Sequence, residues 1–209
     1  MLIIGAKGFA KQLFDVVYQS NQSEVVCFFD DVTENCPDYL YERYKIITNL
    51  NEASDILKKD PRFVLGIGNP RLRESLSDKF IKLGGLLTSM ISSKSYIGSF
   101  NVEIGIGTTI LHSVIIESNV KIGKCVLVNH GAIITHDVQI DDFCEICPGS
   151  KIAGNVKIGK FSFLGTNCTI LPNLKIGNNV TIGAGSVVTK DVPDNVTVVG
   201  VPAKIIKQE

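Results

Sequence analysis

Two of the chain's three histidines, His130 and His136, stand six residues apart in VNHGAIITHD, Val128 to Asp137. Imidazole is the side chain whose ordinary pKa lets it take up a proton near neutral pH. Either ring could act as a general base. Asp137, the acid after His136, could hold its tautomer and stabilise an imidazolium. Whether the two histidines act together depends on how the chain between them is wound. Cys144 and Cys147 form the other reactive pair, a CxxC among six cysteines. Without a second pair that spacing is weak evidence for zinc, and no metal site is expected.

The bulk composition narrows the classes. Lysine plus arginine balance aspartate plus glutamate at 21 each, which gives no electrostatic case for nucleic acid or an anionic membrane. The apolar runs fall far short of a membrane span. MLIIGAKGFA has no charged region before its apolar run and no small-residue cleavage site after it. It reads as a strand entering a turn rather than a signal peptide, so the expectation is a cytoplasmic protein with reduced thiols. At 209 residues and 44% apolar, the chain can form one large or two small domains with a real core.

Residues 1–88 read as a truncated Rossmann-like α/β domain. Leu2–Gly5 is a short buried strand, Phe9 to about Ser20 has helical spacing, Val25–Phe29 is a second strand ending in Asp30 and Asp31, and Phe63–Gly68 is a third. Pro70 starts a helix to about Leu83. Strand, glycine turn, helix, strand, acid is the order of a nucleotide-binding βαβ unit. The turn GAKGFA has Lys7 in place of the middle glycine, which argues against a dinucleotide. The segment is also too short for a six-stranded sheet, so a smaller nucleotide or nucleotide-sugar is expected.

Residues 89–209 follow another period. Stepping by six from Ile104 to Val188, every position is Ile, Val or Leu. The fifth place of each hexad is small or slim, and the fourth is mostly Gly, Asn or Asp, which tolerate left-handed backbone. This is the signature of a parallel β-helix. Places one and five point inward, and places three and four turn a corner. Three hexads close a triangular coil of eighteen residues, so residues eighteen apart stack. His112, His130, Pro148, Thr166 and Ala184 fall on one corner; Ser118, His136, Gly154, Pro172 and Lys190 fall on the next. All three histidines hold third places and point outward, with one side of the coil between His130 and His136. The backbone N–H of Gly154, one coil beyond His136, is a candidate oxyanion donor. An imperfect coil around Ile91 and Ile97, with one extra residue before Ile104, leads into the array, and the tail from Asp191 caps its far end.

The array, with IGAGSVVTKDVP (182–193) and GVPAK (200–204), resembles the left-handed β-helix acyltransferases, whose donor is usually acetyl-CoA. The usual right-handed crossover points the other way; the left hand comes from the resemblance. GAKGFA, FFDD, GIGNP, NHGAIITHDVQI and AGNVKIGKFSFLG extend the match over nearly the whole chain. Together they resemble the sialic acid O-acetyltransferase group, closest to its bacterial N-acetyltransferases of UDP- or dTDP-linked amino-sugars of the 4-amino-4,6-dideoxy type. The resemblance implies a homotrimer with sites between neighbouring β-helices and direct acetyl transfer without an acyl-enzyme. It implies His136 as base and Asp137 as the acid that raises its basicity. Lys7, Gly8, Phe9, Asp30, Asp31, Gly68 and Asn69 would hold the nucleotide-sugar, with Asn129 helping to place the acceptor. Gly154, Thr166 and Ala184 would line acetyl-CoA, and Glu145, where the group often has a second histidine, would contact acetyl-CoA or the acceptor. An O-acetyltransferase of a sialic-acid-like sugar and a non-catalytic hexapeptide-repeat binding protein are the alternatives.

Overall fold

A computed structural model of the chain describes residues 1–19 and 26–208. Ser20 and Val25, placed above at a helix end and a strand start, lie outside the described residues. The chain divides into two compact units, Met1–Met90 and Ile91–Glu209.

The first unit runs β1 (Leu2–Ile4), α1 (Gly8–Gln19), β2 (Cys27–Phe29), β3 (Tyr39–Leu40), β4 (Tyr44–Ile47), α2 (Leu50–Lys59), β5 (Arg62–Leu65), α3 (Pro70–Lys82) and β6 (Leu86–Leu87). These strands form one sheet in the order β3-β4-β2-β1-β5-β6. The sequence expectation of fewer than six strands is therefore wrong. Strands of two to four residues need little chain. In addition, β3 and β4 pair antiparallel through a tight turn at Tyr41 and Glu42, both left-handed at φ 51° and 56°, without a crossover helix. β1 lies at the centre, parallel to β2 and β5. The predicted third strand stops at Leu65, and Gly66 to Gly68 form a loop. A Cβ on Gly66 would sit 2.7 Å from the Ala10 Cβ and 2.9 Å from the Ile4 carbonyl oxygen. Glycine there lets α1 pack against the sheet. Phe28, Phe29, Phe63 and Phe80 are fully buried in this core.

The second unit is a parallel β-helix with three sheet walls. Residues eighteen apart pair in register: Ile110 with Val128, Ile116 with Ile134, and Ile122 with Ile140. Ile97 pairs with Ile116, nineteen apart, which is the extra residue expected before Ile104. First and fifth places, from Ile110 and Val114 to Val188 and Val192, line one continuous core, buried except for the half-buried Leu174. Every fourth place from Gly107 to Gly185 has positive φ. Ser113, Cys125, Phe143 and Phe161 adopt it without being Gly, Asn or Asp, at about 1–2 kcal/mol each. Phe143 and Phe161 offset this by stacking at 5.3 Å with rings 3° apart. The tail closes the array: Val196–Val199 pairs parallel with Thr181–Ile182 and antiparallel with Lys204–Gln208.

Candidate functional site

The corner of Ser118, His136, Gly154 and Pro172 carries the reactive geometry. His136 and Asp137 hold the third and fourth places of one hexad, and Asp137 has the left-handed φ of 62° that the corner requires. This turns its carboxylate back on the preceding ring, and His136 Nδ1 lies 2.8 Å from Asp137 Oδ2. Both side chains are more than half exposed, at 63% and 51%. A ring that donates from Nδ1 to a carboxylate carries its lone pair on Nε2, which is what a general base needs. The imidazole also lies against Gly154. A Cβ there would be 2.5 Å from His136 Cε1 and 2.8 Å from Nε2. The backbone N–H of His136 donates to Glu117 Oε2 at 3.0 Å. Glu117 escaped sequence reasoning, because its contact spans nineteen residues and belongs to no stacking column of the eighteen-residue coil.

The fourth-place column through Asp137 is an asparagine ladder. Asn101 donates to Asn119 at 3.0 Å, and Asn155 donates to Asn173 at 2.9 Å. Asp137 stands between the two pairs with its carboxylate on His136. Asp137→Asn suits the corner backbone and the ladder and removes only the charge. With the pair half-exposed, the Coulomb loss is modest. We expect kcat to fall roughly tenfold with the thermal midpoint unchanged, since charge-assisted hydrogen bonds are about twice as strong as neutral ones. An unchanged kcat would reduce Asp137 to a corner former.

The other predicted residues of this unit disperse. His130 stacks on His112 with ring centroids 5.6 Å apart, and His112 Nδ1 shares a 2.5 Å hydrogen bond with Ser92 Oγ. This is a separate corner, with the Ile133–Ile134 strand between His130 and His136, so within one chain they are no pair. Thr166 and Ala184 are exposed on the His130 corner. Glu145 is half-buried beside Cys147. Asn129, expected to help place the acceptor, is 5% exposed and donates to the Ile146 carbonyl at 3.2 Å. The CxxC pair divides: Cys144 belongs to the coil core and donates to the Gly159 carbonyl, whereas Cys147 is buried outside that core. Burial pushes the Cys147 thiol up to about 12, so at neutral pH it is no thiolate nucleophile.

In the first unit a cavity of about 270 Å³ opens at the carboxyl ends of β1, β2 and β5, lined by Lys7, Phe9, Asp30, Asp31 and Gly68 among others. Strand ends at a point where the chain leaves to either side are where open α/β sheets bind ligands. Gly8 lines an adjoining cavity that shares Lys7 and Asp30. Asp30, 6% exposed, already accepts from the Val32 and Thr33 N–H groups and the Thr33 hydroxyl, so it shapes the cavity wall. Asp31 pairs with Lys79 at 3.1 Å. Asn69 instead caps α3, its Oδ1 accepting the Leu72 N–H at 3.0 Å.

Residues 1–80 match the PglD N-terminal domain family, and residues 155–190 match the bacterial transferase hexapeptide family (six repeats). No curated protein matches by sequence. Among solved structures, WeeI from Acinetobacter baumannii AYE is 31% identical over 98% of both chains, with a TM-score of 0.88. A variant of perosamine N-acetyltransferase from Caulobacter crescentus, in complex with CoA and GDP-perosamine, is 30% identical over 99% of this chain and 96% of that one, with a TM-score of 0.88. The acetyltransferase domain of PglB from Neisseria gonorrhoeae FA1090, in complex with acetyl coenzyme A, is 27% identical over 98% of both chains, with a TM-score of 0.89. Fold and similar structures together define a left-handed β-helix acyltransferase. Within that class, the chain belongs to the sialic acid O-acetyltransferase group of hexapeptide-repeat enzymes.

Proposed function

We propose that the protein is an acetyl-CoA-dependent N-acetyltransferase acting on the amino group of a UDP- or dTDP-linked amino-sugar, in the cytoplasmic steps of bacterial surface-glycan synthesis. The observation that carries this reading is the His136–Asp137 pair at 2.8 Å on an open corner, its ring laid against Gly154. His136 Nε2 takes the proton of the amine as its nitrogen forms a bond to the thioester carbonyl carbon. Asp137 stabilises the imidazolium, and the Gly154 N–H meets the developing oxyanion. The C–S bond then breaks, and the imidazolium returns the proton to the departing thiolate, giving the amide and free CoA. Glu145, Gly154, Thr166 and Ala184 are assigned to acetyl-CoA, and Asn129 to placing the acceptor. Lys7, Gly8, Phe9, Asp31 and Gly68 are assigned to the nucleotide-sugar, with Asp30 and Asn69 shaping that region. The PglB domain binds acetyl coenzyme A and the Caulobacter enzyme binds a nucleotide-linked amino-sugar, which supports both substrate classes.

The assembly is read as a homotrimer with its sites between copies. One wall of the β-helix exposes Tyr96, Ile115 and Leu171 together with Lys151, whereas the next carries Glu103, Lys121, Gln139, Lys157 and Lys175. A second copy seated on the first wall would cover its apolar side chains. A solution mass of three chains is expected, and a monomer would contradict it. The activity is tested by thiol release from acetyl-CoA against UDP-, dTDP- and GDP-linked amino-sugars and sialic acid. Turnover is expected with a nucleotide-linked amine; turnover with sialic acid alone would overturn the reading.

A further inference from the structure

The corners of this β-helix differ in how their third-place N–H groups are capped. On the corner of Lys124, Asp142, Lys160 and Asn178, the side chain one coil further on accepts them. The Lys124 N–H donates to Asp142 Oδ1 at 3.0 Å, the Lys160 N–H to Asn178 Oδ1 at 3.0 Å, and the Asn178 N–H to Asp194 Oδ1 at 2.8 Å. On the reactive corner the residue one coil beyond His136 is Gly154, which has no side chain and whose Cβ space is filled by the imidazole. That form of cap is therefore sterically barred where the ring lies. The N–H of His136 instead donates to Glu117 Oε2, 3.0 Å away, a carboxylate from the coil before it.

We propose that Glu117 is a positioning residue for the transfer reaction, replacing from below the cap that Gly154 cannot supply from above. It pins the backbone of His136 while Gly154 leaves the ring its place, so the base keeps one orientation although its side chain is mostly exposed. A misplacement of about 1 Å at a reacting group can cost on the order of a hundredfold in rate. The role lies in accepting one hydrogen bond, and an amide oxygen accepts as a carboxylate does.

This inference rests on His136 being the base, and the test separates the two. Steady-state kinetics are compared for His136→Ala, Glu117→Ala, Glu117→Gln and, as a control on the other corner, Asp142→Ala. Glu117→Ala is expected to lower kcat at least tenfold with KM for both substrates within twofold, and Glu117→Gln to recover most of the loss. Asp142→Ala, which removes a side-chain cap of the same kind on another corner, is expected to keep kcat. If His136→Ala stays active, the reading of the base itself fails. If His136→Ala is inactive but Glu117→Ala keeps kcat, or Asp142→Ala loses as much, the positioning role is overturned. Gln behaving as poorly as Ala would also overturn it, because charge and not the hydrogen bond would then be at work.

Discussion

His136→Ala should leave a folded protein that no longer transfers acetyl groups. The side chain is 63% exposed, outside the buried core, and bonded to Asp137. Substitutions at such surface positions usually stay within about 0.5 kcal/mol in stability. Its chemical loss is of another size. At the moment of attack the amine must shed a proton, and without a base the nitrogen carries positive charge through the transition state. General base catalysis contributes roughly 10²–10⁴ in rate, so kcat should fall by that factor while KM for acetyl-CoA changes little. Far-ultraviolet circular dichroism and a melting curve report the fold, and thiol release reports the rate. Retained turnover would remove His136 from the mechanism.

Gly154→Ala is expected to show the second-largest effect by a purely steric route. Gly154 is absent from the positive-φ residues, so its backbone accepts an L side chain. An added Cβ would lie 2.5 Å from Cε1, 2.8 Å from Nε2 and 3.2 Å from Nδ1 of His136. The first two separations are shorter than any van der Waals contact, and the exposed ring is the partner free to move. The imidazole should swing off the corner. The expected loss is about a hundredfold in kcat, as for a base displaced by 1 Å. Stability should hold or rise slightly, because alanine restricts the unfolded chain by about 0.4–1 kcal/mol. A fully active Gly154→Ala would mean that the ring works from another position.

The sequence made the β-helix and the placement of His136 readable because both follow from one local rule. A period of six sets the inward face, the corner and the column of every residue from Ile104 to Val188, and the positive φ at each fourth place follows it even at Phe143 and Phe161. The first unit was harder. Strands as short as Tyr39–Leu40 and Leu86–Leu87 are too brief to show alternation, and the turn through Tyr41 and Glu42 lacks the Asn-Gly or Asp-Gly of common tight hairpins. Asn69 and Asp30 were legible as polar residues at strand ends, but not as a helix cap and a loop staple, because those roles depend on which N–H groups the backbone presents. Glu117 was beyond reach for a related reason. It crosses between columns, and the eighteen-residue period does not display such a contact.

The central claim is that an amine on a nucleotide-linked sugar receives the acetyl group. The most direct test is to identify the product formed from acetyl-CoA and a UDP- or dTDP-linked 4-amino-4,6-dideoxy sugar, by mass spectrometry and nuclear magnetic resonance. The expected product carries one added acetyl group, bound to nitrogen as an amide that survives mild alkali. An alkali-labile ester on a hydroxyl, or no acetylated sugar-nucleotide while sialic acid is acetylated, would contradict it.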